Sequence, residues 1–144
     1  MGLFIFLSSM NSSKPYSLGK SERLKSRKQI DILFESGKKI TLFPFRLMYR
    51  TETGIGEIKA GFTVSSKNFP RAVDRNRIKR LSRESYRLQK MELEAGVLKN
   101  KSLLHLFFIY TGKEILTYDE ISTRLKQVLD KLIHVLYADH AENT

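Results

Sequence analysis

Cysteine and tryptophan are absent from the 144-residue sequence, and histidine occurs only three times. Without cysteine, the chain has no disulfide framework, no thiolate zinc site and no cysteine nucleophile, as is common in a reducing compartment such as the cytoplasm. His105, His134 and His140 show no metal-ligand spacing, and no Ser/His/Asp arrangement is indicated. We therefore expect a cytoplasmic protein with no catalytic side chain of its own.

Long apolar runs are also scarce. The apolar run at residues 3–7 is shorter than the core of a signal peptide and far too short to span a bilayer, so we expect no targeting segment and no membrane partner. The chain length and the 41% hydrophobic content suffice for one core. We predict a disordered extension at residues 1–22, one domain at 23–138 and a tail at 139–144.

Acidic residues are few and unevenly placed. The chain has 26 lysines and arginines against 15 aspartates and glutamates, which gives a net charge of +11. The last 31 residues carry a net charge of −3, so the first 113 carry +14. This asymmetry predicts one basic face that binds a polyanion such as RNA or DNA, and one end that points away from it.

The first elements have local signals. Ser26 followed by Gln29 is a capping box, which predicts a first helix over residues 27–36. Gly37 is expected to end this helix with a positive φ. Alternating apolar residues over 43–49 then predict a half-buried strand with arginines on its other face.

The remaining elements suggest a layered fold. Residues 51–57 are interpreted as a hairpin loop and residues 58–65 as a second strand. The nearly continuous apolar run at 103–110 predicts a central strand. Thr117 and Glu120 form a second capping box, which begins a last helix with a clean apolar stripe. Helix, strands, long helix, strand and helix in this order predict an α-β sandwich around one sheet.

The long helix is the most unusual segment, because seven of the 17 residues of Arg71–Arg87 are lysine or arginine. Asp74 is a suitable N-cap, which predicts that the helix starts at Arg75. Helical spacing predicts a buried face made of Ile78, Leu81, Ser85 and Leu88. The opposite face would carry Asn76, Lys79, Arg80, Arg83 and Arg87.

Such a cationic face is costly in isolation, because like charges one turn apart repel and cations near a helix N-terminus oppose its dipole. An anion would offset this cost, and a row of cations over several turns can meet successive phosphates. The free N–H groups at the helix start, with Arg75 and Arg77, form a second predicted anion site, and Arg71 belongs to the same set. The alternative is a merely solvated charged face; membrane binding is disfavoured because the apolar face is needed for the core.

These residues resemble a known family. The segment AGFTVSSKNFPRAVDRNRIKRLSRESYR is similar to the signature region of the bacterial ribonuclease P protein subunit, whose R-N-R motif corresponds to Arg75, Asn76 and Arg77. The similarity extends back to RLKSRKQIDILFESGKK and FPFRLMY and forward to LTYDEI. It thus covers about residues 23–136, in one consistent order.

The resemblance implies a fold and an activity. The expected fold is α+β, an α-β sandwich with a four-stranded sheet and a left-handed βαβ crossover (ribosomal protein S5 domain 2-like). The expected activity is that of an endoribonuclease in which an RNA subunit removes the 5′ leader of precursor tRNA. The reaction would use Mg²⁺, which is bound mainly by the RNA subunit. The protein would bind both the catalytic RNA and the leader, with one protein per catalytic RNA. Whether two holoenzymes dimerise is left open.

The resemblance also implies site residues. The expected contacts with the RNA subunit are Arg75, Asn76, Arg77, Lys79, Arg80 and Arg83. Asn76 could also offer an oxygen to a hydrated metal ion. The leader would bind in a cleft between the first helix and the sheet, lined by Ile30, Phe34, Phe45 and Lys67.

Three points of the implied cleft stay open in the sequence. Many family members have an aromatic residue where this chain has Ile30, so apolar contact rather than stacking is expected there. Phe34 is either a core residue or an exposed stacking platform. The loop at residues 65–73 is about one residue longer than usual and lacks the usual glycine, so the positions of Phe69 and Pro70 are less defined.

Two rival functions remain. The first is a non-catalytic module that binds ribosomal RNA through the same helix, which would leave a leader cleft unexplained. The second is a nuclease that uses its own side chains, such as His105 or Asp74, and would cleave without any added RNA.

Overall fold

The computed structural model describes residues 22–138. The helices are α1 (Arg27–Ser36), α2 (Ala72–Gln89), α3 (Met91–Lys99) and α4 (Tyr118–Ile133), and the strands are β1 (Lys38–Leu42), β2 (Phe45–Thr53), β3 (Glu57–Val64) and β4 (Ser102–Tyr110). A π-helical turn, His134–Ala138, follows α4. The predicted tail lies outside the described residues, as does the predicted N-terminal extension apart from Glu22. None of the helices within 22–138 is long and apolar enough to cross a membrane.

One four-stranded sheet, with the order β1-β2-β4-β3, organises the fold. Strand β4 is antiparallel to β2 and parallel to β3, so the predicted central position of this strand is confirmed. The parallel pair is joined through α2 and α3, which makes a βαβ unit, and the predicted α+β sandwich is confirmed. The left-handedness of the crossover stays a prediction.

The predicted hairpin at residues 51–57 is wrong. The strands on its two sides, β2 and β3, are not neighbours, because β4 lies between them. The loop instead crosses the start of β4, where Gly54 N–H donates to the Lys101 carbonyl and Gly56 N–H to the Ser102 carbonyl. Gly56 has a φ of +88°, which favours glycine.

The first strand, β1, was not predicted. Its apolar alternation is limited to Ile40, which is buried, and Leu42, which is partly buried against the main core, and two residues are too short a pattern to predict a strand. The predicted strand at 43–49 begins two residues later than expected, since Phe43 and Pro44 form the turn that joins β1 to β2. The short helix α3 was also not predicted as an element separate from the long helix before it.

Helix α1 has the predicted bounds and the predicted N-cap, at which Gln29 N–H donates to Ser26 Oγ. The predicted reason for Gly37 is wrong, since its φ is −76°. A Cβ at this position would lie 2.5 Å from the Leu33 carbonyl oxygen and 3.1 Å from that of Tyr49. Glycine is therefore needed for the close approach of the helix end to β2.

Strand β4 separates two apolar clusters. Leu104, Leu106 and Phe108 point into the main core, which α2, α3 and α4 cover. The alternate residue Phe107 points to the other face, where it packs with Leu33 of α1. The helices thus lie on both faces of the sheet, with α1 alone on one side.

The long helix begins earlier than predicted. Its first residue is Ala72, and its N-cap residue Arg71 makes no side-chain capping bond. Asp74 lies inside the first turn and forms an ion pair with Arg71 at 3.4 Å, so its assignment as the N-cap is wrong. The preceding Phe69 is buried against Tyr110, which fixes the direction in which the chain enters the helix.

The buried face of α2 is rotated by about 60° from the prediction, judged at about 100° per residue. Ile78 and Ser85 are buried as predicted, but Ser82 and Tyr86 replace Leu81 and Leu88. Leu81 is only partly buried, and Leu88 is 44% exposed. Small hydroxyl side chains allow close packing of α2 against the core.

A polar seam joins α2 to α4. Gln89 Nε2 lies 2.8 Å from Ser85 Oγ and 3.1 Å from both the carbonyl oxygen and Oγ of Ser122. These bonds satisfy polar groups that the packing of the two helices removes from water.

A buried lysine closes the fold at the end of α2. Lys90 is 2% exposed, and its Nζ lies 2.5 Å from a Glu22 carboxylate oxygen and 3.4 Å from one of Glu94. Burial raises the pKa of the Glu94 carboxyl, and the charge of Lys90 opposes this rise. The ion pair with Glu22 fastens the segment before α1 to the junction of α2 and α3.

The orientation of α2 predicts a contrast between two apolar residues. Ile78→Ala should lower the free energy of unfolding by about 2–5 kcal/mol, because it leaves a cavity in a closed core. Leu88→Ala is the matched control and should change it by less than about 0.5 kcal/mol. Urea denaturation measures both. A larger effect at Leu88 than at Ile78 would mean that the helix is turned the other way.

Candidate nucleic-acid interface

The solvent-facing side of α2 carries four of the predicted RNA-binding residues. Asn76, Arg77, Arg80 and Arg83 are exposed, and Lys79 is half-buried at the edge of the same face. Within residues 22–138, none of the four cations Arg77, Lys79, Arg80 and Arg83 forms an ion pair with a carboxylate, so their charge is not neutralised inside the described fold. The predicted cationic face therefore exists, although it is narrower than expected.

Two predicted cations have partners within the helix. Arg87 donates through Nε and Nη2 to the Glu84 carboxylate, at 3.1 Å and 2.5 Å. This bond lowers the pKa of the Glu84 carboxyl and raises that of Arg87. Arg71 is paired with Asp74. A phosphate at either position would have to compete with a carboxylate.

Arg75, the first residue of the R-N-R motif, contacts the protein backbone. Its Nη1 donates to the Phe69 carbonyl at 2.8 Å and to the Pro70 carbonyl at 2.7 Å. The guanidinium thus holds the turn that leads into α2. The sequence placed Arg75 at a free helix start, whereas its N–H donates to the Arg71 carbonyl inside the first turn.

The second predicted surface is the cleft beside α1. Phe34 is 51% exposed, and its ring meets that of Phe107 edge to face, with centroids 5.8 Å apart. Ile30, one turn before Phe34, packs partly buried in the same cluster as Ile109. The question that the sequence left open for Phe34 is thereby answered: its ring is available to a ligand.

Phe45 does not line this cleft, and its assignment is wrong. It is 1% exposed and packs between Phe108 and Tyr110 in the main core, on the opposite face of the sheet from Phe34. The turn at residues 43–44 sets the register, which makes the odd-numbered residues of β2 the core side.

Three residues of the open face were missed as site residues. Phe107 and Ile109 of β4 lie on the α1 side, and the exposed Arg46 of β2 is the register partner of Ile109. Strand alternation already placed Arg46 opposite to Phe45, which is the signal that could have identified it. The cleft therefore combines an aromatic platform, an apolar floor and one cation.

Lys67 lies in the turn after β3, at the end of the sheet where Ile109 lies. Its side chain is exposed, whereas the neighbouring Phe69 is buried. Asn68 Nδ2 lies 3.4 Å from the carbonyl oxygens of Thr111 and Gly112 and ties the turn to the end of β4. Lys67 is thus exposed near the end of the sheet that carries Ile109, and its place in the cleft stays a prediction.

Potential metal ligands do not cluster within residues 22–138. This part of the chain contains no group of three or more His, Asp or Glu side chains that could hold a metal ion. Asn76 is exposed, so its amide oxygen can reach a metal-bound water molecule but cannot form a site alone. His105 is 7% exposed in β4, and burial lowers its pKa. An enclosed imidazole of this kind fits a structural position in the sheet.

Comparisons with known proteins agree on one family. The family model described as Ribonuclease P matches residues 18–133. The ribonuclease P protein component of Porphyromonas gingivalis is 32% identical over 125 residues, which cover 85% of this chain and 91% of that protein. The corresponding protein of Legionella pneumophila is 43% identical over 72 residues, covering 50% of this chain and 62% of that protein.

Two solved structures share the fold. The RNase P protein from Thermotoga maritima matches with a TM-score of 0.61 at 25% identity, covering 76% of this chain and 96% of that chain. A mutant RNase P protein of Staphylococcus aureus matches with a TM-score of 0.62 at 21% identity, covering 91% of this chain and 98% of that chain.

The contacts of Arg75 predict an effect on stability without any RNA. Arg75→Ala should lower the free energy of unfolding by about 1–3 kcal/mol, because two carbonyl groups lose a charged donor. Arg77→Ala is the matched control, since Arg77 is exposed and lies two residues away; it should change stability by less than about 0.5 kcal/mol. Thermal or urea denaturation decides between them. Equal free energies of unfolding for the two variants would show that the backbone contacts of Arg75 do not stabilise the fold.

Proposed function

The chain belongs to the ribonuclease P protein family, whose role is the 5′ processing of tRNA, and from that premise we propose how its two surfaces divide the work. The exposed face of α2 binds the catalytic RNA subunit, and the cleft beside α1 binds the 5′ leader of precursor tRNA. The RNA subunit carries the catalysis with Mg²⁺, and the protein is the accessory subunit of this cytoplasmic endoribonuclease. One protein copy serves one catalytic RNA.

The exposed ring of Phe34 beside the apolar floor of the cleft is the observation that carries this proposal. Single-stranded nucleic acids bind by stacking bases on aromatic rings while cations guide the phosphates. Phe34 supplies the ring and Phe107 contacts it edge to face, and the exposed Arg46 and Lys67 would supply the charge that guides the phosphates. A module that bound only structured ribosomal RNA would have no use for this platform.

The cationic face of α2 supports binding of the RNA subunit. From Asn76 to Arg83 the face extends about 10 Å at 1.5 Å per residue, so it can meet more than one phosphate of a folded RNA strand. Arg80 and Arg83 are one turn apart and can contact neighbouring phosphates. Asn76, without a charge, suits an outer contact to a hydrated Mg²⁺ held by RNA phosphates.

Under this division the chain would need no active site of its own. Mg²⁺ held by the RNA would neutralise charge at the scissile phosphate. The contribution of the protein is positional: α2 fixes the protein on the RNA subunit, and the cleft holds the leader at a defined distance from it. Binding energy from the leader then orients the reacting bond.

Reconstitution tests the proposal directly. The RNA subunit of a bacterial ribonuclease P is incubated with precursor tRNA at low Mg²⁺ and moderate salt, with and without the purified protein. We expect correct 5′ maturation only when both are present. Salt-sensitive RNA binding without stimulation, also with the cognate RNA subunit, would favour the ribosomal-RNA module. Cleavage by the protein alone would overturn the role of the RNA as catalyst.

The cleft predicts a selective loss on changing Phe34. Phe34→Ala should weaken binding of precursor tRNA to the reconstituted enzyme by about 1–3 kcal/mol, the range for one stacked base. Binding of tRNA without a leader should not change. Phe43→Ala is the control, because Phe43 is an exposed aromatic residue beside the N-terminal end of α4. An equal loss with and without the leader would place Phe34 outside the leader site.

A further inference from the structure

Arg23 is held beside α2 by both of its neighbours. Leu24 is buried, and its N–H donates to the Ala60 carbonyl at 2.9 Å, so that Arg23 forms a parallel bridge with Ala60 on β3. Glu22 binds Lys90 at the end of α2. The backbone between these two anchors has little freedom, and it holds Arg23 between the edge of β3 and the C-terminal half of α2.

Two exposed arginines of α2 lie on the adjoining surface. Arg83 precedes the anchor residue Lys90 by seven residues, which is two helical turns, and Arg80 lies one turn further back. The pKa of Arg83 is lowered, first by partial burial of its guanidinium and then by the positive charges of Arg23 and Arg80. Arg83 is therefore close enough to both Arg23 and Arg80 for their positive charges to repel its own.

A cluster of like charges raises the free energy of the isolated protein. Arg80 and Arg83 have no carboxylate partner within the described range, so the fold itself does not compensate them. An anion that enters the cluster interacts with all three charges at once, and partial desolvation of Arg83 strengthens its contact. Guanidinium groups also match the geometry of phosphate oxygens.

We propose that Arg23, Arg80 and Arg83 form a phosphate-binding site for the RNA backbone, built from the edge of β3 and α2 together. Arg23 lies outside the long helix and its R-N-R motif, so the RNA contact surface extends from α2 to the segment that leads into α1. This inference rests on the proposed function for the identity of the RNA, whereas the anion site itself does not.

Such a site would link the two RNA-binding surfaces. Leu24, next to Arg23, packs in the same apolar cluster as Leu33 and Phe107, which support the leader cleft. A phosphate bound by Arg23 and Arg83 would therefore connect α2 to the base of that cleft. The RNA subunit would fix both elements with one contact.

The test uses Arg23→Gln, Arg83→Gln and the double variant, with Arg124→Gln as the control on α4. Affinity for the RNA subunit is measured over a series of salt concentrations. Each single variant should bind more weakly and with a shallower salt dependence, by about 0.7–0.9 in the log–log slope per lost contact. The double variant should lose less binding free energy than the sum of the losses of the two single variants, because the arginines share one ligand. Arg124→Gln should bind as the unchanged protein does.

A second measurement needs no RNA. Inorganic pyrophosphate should raise the Tm of the unchanged protein more than that of Arg23→Gln or Arg83→Gln, since a ligand that binds only the folded state stabilises it. The Tm values without pyrophosphate show whether each variant is folded.

The outcomes separate the two proposals. If Arg23→Gln keeps full RNA affinity and full stabilisation by pyrophosphate while Arg83→Gln loses both, Arg23 is not part of the site. If the unchanged protein fails to bind the RNA subunit and the pyrophosphate difference persists, the anion site stands and the proposed function fails.

Discussion

The whole arrangement depends on β4 being paired on both edges and covered on both faces. Its parallel partner β3 and antiparallel partner β2 fix its position, and strand alternation then assigns every second side chain to a different layer. Leu106 and Phe108 hold α2 and α4, whereas Phe107 and Ile109 face α1. One nine-residue strand thus determines where the basic helix and the cleft beside α1 lie relative to each other, on opposite sides of a sheet only one layer thick.

The cations of the chain serve two different purposes. Lys90 and Arg75 are used inside the fold, where the first binds carboxylates and the second binds backbone carbonyls. The arginines on the outer face of α2 are held apart from acidic side chains of the described fold. The buried residues Ile78 and Tyr86 pack α2 against the core, so the outer face of the helix can carry charged side chains without loss of this packing. Composition alone cannot distinguish these two groups.

Local signals in the sequence predicted the elements that local interactions define. The bounds of α1, the capping box of α4 and the central position of β4 follow from nearby residues and were confirmed. The errors arose where distant residues decide. The supposed hairpin at 51–57 depends on β4, which follows 45 residues after it in the chain and enters between its strands. The rotation of α2 depends on serines that pack in the core although their type is polar.

The candidate binding residues were also predicted only in part. The outer cations of α2 and the platform at Phe34 came from helical spacing and the family resemblance, and the structure brings them to two defined surfaces. Phe45 was assigned to the wrong face of β2, because the alternation of side chains along a strand defines two faces but does not show which one packs into the main core. The backbone bonds of Arg75 and the neighbours of Arg23 could not be read from sequence, since both depend on contacts between separate elements.

The parallel pairing of β3 with β4 also has a consequence for how the chain folds. Two parallel neighbours cannot be joined by a tight turn, so β3 and β4 are joined by the long connection that contains α2 and α3. This connection places the paired residues far apart in sequence, which slows folding. The arginines of α2, which repel one another, lie inside this connection. A polyanion bound to α2 would lower this repulsion, so the contact that binds the partner would also favour the pairing of β3 with β4.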